Sequence, residues 1–194
     1  MESIKLSIVI VTYKSEEKIF NCLNSISSEI PVIIIENSNN KQFKTNIEQN
    51  YPNVHCELTG ENKGYAAGNN IGLSKVKTKY ALILNPDTIL NDNVIKNFLI
   101  TANNVKDFWL IGPANDQMVK LDFEKKNLIE VNNLKGFAMF LNMSKFTKKV
   151  FDENFFLFFE EIDLCKRVKM SKGKIYLDNN IIIKHEGASS VKGK

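Results

Sequence analysis

Tyr80-Ala-Leu-Ile-Leu-Asn85-Pro86-Asp87-Thr88 is the stretch on which the reading of this chain turns. Its apolar run has the length of a strand, follows polar Lys77-Thr-Lys79, and stops abruptly at Asn-Pro-Asp-Thr, which reads as a buried strand. Pro86 has no amide hydrogen and restricts Asn85 to extended geometry, so a sheet ladder must end there. Asp87 therefore stands just past the carboxyl end of a strand, the edge at which open α/β sheets bind ligands. The plainer reading is that Asp87 or Thr88 caps a helix that follows. The stretch alone leaves both open.

The flanking segments supply the context. Lys5-Leu-Ser-Ile-Val-Ile-Val-Thr-Tyr13 is a β-branched run without polar alternation, as expected of a strand buried on both faces in a parallel sheet. Ser15 to Ile26 has the apolar spacing of an amphipathic helix with Ser15 as its cap. Pro31-Val-Ile-Ile-Ile-Glu36 reads as a second buried strand ending in a carboxylate, followed by the polar loop Asn37-Ser-Asn-Asn40, and a third strand is expected over Val54 to Leu58. Such alternation predicts right-handed βαβ units with helices on both faces. In Asn62-Lys-Gly-Tyr-Ala-Ala-Gly-Asn-Asn-Ile-Gly72 the glycines recur every four residues and so lie near one face of a helix. That face admits a close backbone or ligand, at about 1 kcal/mol per glycine relative to alanine. The spacing is not that of a dinucleotide fingerprint, and tight helix-on-sheet packing explains at least part of it.

Beyond the central stretch, a helix is expected over Asp92 to Asn104, a strand over Phe108 to Pro113, and strand character again from Leu134 to Leu141. Residues 114–130 are polar and read as a hairpin or mobile loop. In Phe151-Asp-Glu-Asn-Phe-Phe-Leu-Phe-Phe-Glu-Glu-Ile-Asp-Leu-Cys-Lys-Arg167 an aromatic cluster runs into three acids and a helix closed by Lys172-Gly173. Glu160, Asp163 and Arg167 share a helix face, where Asp163 and Arg167 can pair, and acids suit a first helical turn. Glu161 points away from that face and follows apolar aromatics, a setting in which desolvation makes a general base. Short strands are expected at Lys174 to Leu177 and Ile181 to Lys184, and His185 stands just past the last of them.

Length and composition bound the answer. At 194 residues, with 43% hydrophobic and 25% charged, the chain reads as one globular domain over 1–194, with a mostly parallel central sheet and a small antiparallel portion. No apolar run is long enough to span a bilayer or to serve as a secretory signal. Cys22, Cys56 and Cys165 are scattered and odd in number, which suits a reduced, cytoplasmic setting better than a disulfide framework or a metal cluster. The formal charge of +4 does not specify a nucleic-acid binder, though it suits peripheral contact with the anionic inner face of a cell membrane.

Taken together, these elements resemble family-2 glycosyltransferases of the GT-A fold, and most of all their rhamnosyltransferase-like, polysaccharide-assembling members. The resemblance covers Leu6 to Ser190 and rests on the joint order of its motifs. These are Ile-Val-Thr-Tyr, a strand ending in an acid, Asn-x-Gly-x-Ala-x-Gly-x-Asn-x-Gly, Leu-Asn-Pro-Asp, a Gly-Phe-Ala-Met strand, Phe-Glu-Glu-x-Asp-Leu-x-x-Arg, and His-x-x-x-Ser. It implies that Thr12 and Tyr13 sit against a nucleotide base and ribose, and that Glu36, where the family more often has Asp, accepts a hydrogen bond from the base. Asn62, Gly64 and Asn70 would line the donor pocket. Asn85-Pro86-Asp87 matches the family's Asp-x-Asp element. Asp87 and His185 would then hold Mn²⁺ or Mg²⁺ on a nucleoside-diphosphate sugar, and Asn85 would contact sugar or ribose. Glu161 falls where the family places its catalytic base, which implies single displacement with inversion.

By resemblance, the donor would be a dTDP- or UDP-sugar, rhamnose included, and the acceptor a cell-surface polysaccharide or lipid-linked glycan precursor of the cell envelope. The chain ends nine residues after His185, whereas family members commonly continue with helices on the acceptor side. A second expectation is a non-catalytic domain of the same descent that binds nucleotide or a partner. A nucleotidyltransferase is a third, disfavoured because Val11-Thr-Tyr-Lys-Ser15 lacks the glycines of a pyrophosphate loop.

Overall fold

A computed structural model of the protein describes residues 5–115 and 127–185. In chain order its elements are β1 (Leu6–Thr12), α1 (Glu16–Asn24), β2 (Val32–Glu36), α2 (Lys41–Asn50), β3 (Val54–Leu58), α3 (Gly64–Ser74), β4 (Tyr80–Leu84), β5 (Thr88–Leu90), α4 (Val94–Asn104), β6 (Phe108–Asn115), β7 (Leu128–Glu130), β8 (Ala138–Asn142), α5 (Glu160–Met170) and β9 (Lys174–His185). The strands form one sheet in the order β3-β2-β1-β4-β8-β6-β9-β5, with β7 pairing on β9. β3, β2, β1 and β4 are mutually parallel. Antiparallel pairing enters where β8 joins β4, and recurs at β6–β8, β5–β9 and β7–β9, while β6 and β9 run parallel.

The unalternating runs explain the layering. Every residue of β1, β2 and β4 is buried, because helices cover both faces of the parallel strands. Successive side chains of a strand point to opposite faces. Ile8 and Ile10 thus pack with Ile19 and Cys22 of α1, Phe43 and Ile47 of α2, and Phe98 of α4. Val9 faces the other way, with Ala66 and Leu73 of α3 and Leu164 of α5. The glycine row of α3 serves this packing. A Cβ at Gly68 would stand 2.8 Å from Val11 Cγ1, and one at Gly72 would stand 2.4 Å from Val9 Cγ1.

Several elements depart from the sequence reading. The helix-cap reading of Asp87 gives way to strand β5, and α4 begins only at Val94. Thr88 pairs with His185 in an antiparallel ladder, so Asn85-Pro86-Asp87 is a bridge between two strands of one sheet. α2 was not legible, since Phe43 and Ile47 are its only buried residues; Asn40 starts it by accepting from Phe43 N at 2.9 Å. β7 lies at the end of the stretch expected to be irregular, and 116–126 fall outside the described residues. The two short strands expected near the end are one strand, β9. A register shift between Pro113 and Ala114 of β6 lets the ladder skip residues 179–181, while buried Asp178 accepts from Thr101 Oγ1 and Asn180 N to hold the irregularity. Strand β8 starts at Ala138, four residues later than expected.

Gly72→Ala tests the packing of α3. Helix propensity alone favours alanine by about 1 kcal/mol, but the clash with Val9 should reverse the sign and lower stability by about 1–3 kcal/mol. Urea denaturation reads this directly, and an unchanged or raised midpoint would contradict the close approach.

Candidate active site

The bridge from β4 to β5 builds one corner of the site. Leu84 ends the ladder with β8, Asn85 N donates to Phe137 O at 2.8 Å, and Asn85 O in turn accepts from Thr88 N at 3.2 Å and Thr88 Oγ1 at 2.7 Å. This tight return directs Asp87 toward the end of β9. His185 Nε2 lies 3.2 Å from Asp87 Oδ1, and the imidazole stacks on Phe137 with ring centroids 4.8 Å apart and planes at 11°. Burial opposes ionisation of Asp87, which is 9% exposed. The hydrogen bond and charge of His185, helped by a backbone amide and Lys18, outweigh it and hold the carboxyl below its usual range. An ionised oxygen donor beside an imidazole nitrogen is a donor set that fits Mn²⁺. Among the described residues no cluster of three or more His, Cys, Asp or Glu is placed to hold a metal.

Tyr65, on the first turn of α3, connects this corner to the turn that leads into β8. Its hydroxyl lies 3.0 Å from Asn85 Oδ1 and 3.1 Å from Gly136 O. Gly136 in turn packs against Glu161, whose Cβ would be 3.5 Å from a Cβ added at the glycine. Asn85, Tyr65, Gly136 and Glu161 thus form a continuous line from the Asp87–His185 corner to the acid pair of α5.

The acids differ in environment. Asp163 pairs with Arg167 at 2.7 Å, and Arg167 also donates to Val150 O at 2.8 Å, so this expected pair anchors α5. Glu161 is partly exposed. Glu160 is the buried one, 5% exposed, with no hydrogen-bond partner for Oε2. Burial raises its carboxyl above the usual range, its own amide works against this, and the neighbouring charge of Glu161 adds to it. Phe158 and Phe159 enter α5 with φ of 71° and 70°, left-handed values that favour glycine, and Phe156, Leu157, Phe158 and Phe159 all stand exposed beside the acids.

The ends of β1 and β2 bring Thr12 and Glu36 side by side. The Glu36 carboxylate is 1% exposed and accepts from Ser38 N at 2.8 Å, Ser38 Oγ, and Asn40 N at 2.7 Å. It organises its own loop and presents no open oxygen. The orphaned buried acceptors here are instead Thr12 Oγ1 and Oδ1 of Asn37, a residue not singled out in the sequence. Asn37 N donates to Thr12 O at 2.8 Å, and its Nδ2 to Gly64 O at 3.0 Å. Tyr13 lies about half exposed at the rim. Asn70, expected in the donor pocket, turns toward the chain at Phe151, accepting from Phe151 N at 2.9 Å and donating to Phe151 O at 2.9 Å. Asn62 is exposed and accepts from Gly64 N at 3.0 Å, starting α3. Gly64 has φ +82°, and a Cβ there would lie 2.4 Å from Phe156 O, so its close approach is to the aromatic loop.

Residues 7–164 match the model of the family described as Glycosyl transferase family 2, and the chain belongs to that family. Among curated relatives, the low-salt glycan biosynthesis hexosyltransferase Agl10 of Haloferax volcanii is 28% identical over 191 residues, covering 84% of this chain and 61% of its own length. The chain thus spans about three fifths of that relative. Among solved structures, GalNAc-T7 with UDP, GalNAc and Mn²⁺ aligns at a TM-score of 0.78 with 12% identity over 95% of this chain and 44% of that one. The mannosyltransferase PcManGT of Pyrobaculum calidifontis, in complex with GDP-Man and Mn²⁺, aligns at 0.77 with 10% identity over 96% and 58%. At such identities the likeness establishes the fold, which is the GT-A type expected from the sequence.

Glu160→Gln tests the buried acid. A carboxyl whose pKa is raised on folding favours the protonated native state, so its contribution declines as pH rises from the unfolded toward the folded value. The glutamine variant should therefore melt higher than the parent above neutral pH, by a few degrees, with the gain vanishing below about pH 4, near the ordinary glutamate value. A variant that melts lower at every pH would contradict the assignment.

Proposed function

We propose that this chain carries the donor-binding and catalytic site of an inverting, metal-dependent glycosyltransferase. The observation that carries the reading is the convergence of Asp87 and His185, 3.2 Å apart at one end of the sheet, within a line of contacts that leads to Glu161. Asp87 and His185 would hold Mn²⁺ or Mg²⁺ against the donor diphosphate; when bound, the ion neutralises the charge that grows on the leaving group. Glu161 takes the proton from the acceptor hydroxyl as that oxygen attacks the anomeric carbon, and Glu160 lies buried beside it, its carboxyl raised above the usual range by desolvation.

The donor is a nucleoside-diphosphate sugar, of the dTDP or UDP type, with rhamnose a candidate sugar. Thr12 and Asn37 keep side-chain oxygens without partners at the sheet end where the Glu36 carboxylate is already satisfied, which makes them the candidates to meet the base. The acceptor is a hydroxyl of a polysaccharide or lipid-linked glycan precursor, consistent with the glycan-biosynthesis role in the name of the Haloferax relative. The exposed aromatics before α5 offer it an apolar ledge next to Glu161. No helix among the described residues is long and apolar enough to cross a membrane, and the reading places the enzyme at the cytoplasmic face, in peripheral contact with it.

A melting panel with UDP, dTDP, GDP and CDP, each with and without Mn²⁺, tests the donor site. One nucleotide should raise the melting temperature in a Mn²⁺-dependent way, and Asp87→Ala should abolish that shift. Glu161→Gln should keep the shift and lose at least about 100-fold in transfer rate. No shift with any nucleotide would overturn the donor site, and full turnover by Glu161→Gln would overturn the catalytic base.

A further inference from the structure

Asn85 presents a carboxamide, whose two edges have opposite chemistry, an acceptor oxygen and a donor NH₂. Which edge meets the ligand decides what this position recognises. Asn85 is partly open to solvent, and its main-chain N–H is fixed on Phe137 O. Its Oδ1 lies 3.0 Å from the Tyr65 hydroxyl, whereas Nδ2 makes no hydrogen bond to the described residues. Tyr65 is itself held on several sides. Its N–H donates to Phe156 O at 2.8 Å, its carbonyl accepts from Asn69 Nδ2 at 3.0 Å, and its hydroxyl also reaches Gly136 O at 3.1 Å. A phenol so anchored cannot follow Asn85 if the amide turns.

We propose that Tyr65 is a positioning residue that holds the Asn85 oxygen toward α3 and so turns the NH₂ edge to the sugar nucleotide. Position 85 then acts as a hydrogen-bond donor to a phosphate or sugar oxygen of the ligand and leaves metal ligation to Asp87 and His185. The proposal rests on the donor-site reading above and adds the residue that sets the polarity of that site. Tyr65 has one proton for two acceptors, Asn85 Oδ1 and Gly136 O. When a ligand oxygen accepts from the NH₂ edge, Oδ1 becomes the stronger acceptor and draws that proton toward Asn85, because chained hydrogen bonds polarise one another. Ligand binding therefore tightens the contact between α3 and the β4–β5 bridge.

The test is a double-mutant cycle on the affinity of whichever of UDP, dTDP, GDP and CDP binds best with Mn²⁺, measured by titration calorimetry. Asn85→Ala should weaken binding about tenfold, the loss of one hydrogen bond to a charged group. Tyr65→Phe, which removes a single oxygen, should weaken it about three- to tenfold alone and have no further effect in the Asn85→Ala background. Additive effects would overturn the role of Tyr65 while leaving the donor site standing. A silent Asn85→Ala would overturn the proposal with the donor site standing, and no binding by any nucleotide would overturn both. Should Tyr65→Phe fail to fold, the side-chain NH₂ signals of Asn85 in the intact protein decide the matter. Adding nucleotide with diamagnetic Mg²⁺ should shift them strongly, and signals unmoved by bound nucleotide would overturn the proposal.

Discussion

Pro86 interrupts the sheet ladder two residues past the end of β4, and the site depends on how the chain recovers from that interruption. A proline in this place removes a ladder donor and fixes an extended residue before it. The chain recovers within three residues: Asn85 O accepts from both the amide and the hydroxyl of Thr88, and Thr88 pairs directly with His185. The result is that Asp87 and His185, almost a hundred positions apart in sequence, meet at the end of the sheet. A helix cap at Asp87 would have given the same local sequence preferences without this meeting.

The surrounding elements keep the corner in place. Phe137 accepts from Asn85 through its carbonyl and stacks on His185 through its ring, so one residue braces both sides. α3 lies tight on β1 because Gly68 and Gly72 let the backbone approach Val11 and Val9, and this brings Tyr65 within reach of Asn85 and Gly136. The glycine row is thus a packing device whose consequence is felt at the site. The strained entry to α5, with left-handed Phe158 and Phe159, places buried Glu160 and partly exposed Glu161 side by side in unlike environments, the usual way of separating the roles of two carboxylates.

Much of this was legible in the sequence. Unalternating β-branched runs gave the parallel strands, and the Pro86 stop gave the end of β4. The Asp163–Arg167 pair followed from helical spacing. What escaped were features set by long-range pairing. β5 is only three residues long and carries no pattern of its own, and β9 reads as two strands because the ladder with β6 skips 179–181, just past its polar Asp178. Glu36 and Asn70 have the residue types that bind ligands, yet Glu36 bonds to its own loop at Ser38 and Asn40 and Asn70 to Phe151 and Glu153, which spacing does not reveal. Asn37 was passed over as loop because only the fold shows its oxygen buried beside Thr12.

The central claim is that Asp87 and His185 share a metal ion carried by the donor diphosphate. Electron spin-echo spectroscopy of Mn²⁺ bound with the preferred nucleoside diphosphate tests it most directly, because a coordinated imidazole imprints a nitrogen modulation on the echo. The account predicts that modulation in the parent protein and its loss in His185→Gln. Nucleotide-loaded Mn²⁺ with no nitrogen modulation, or modulation that persists in His185→Gln, would contradict it.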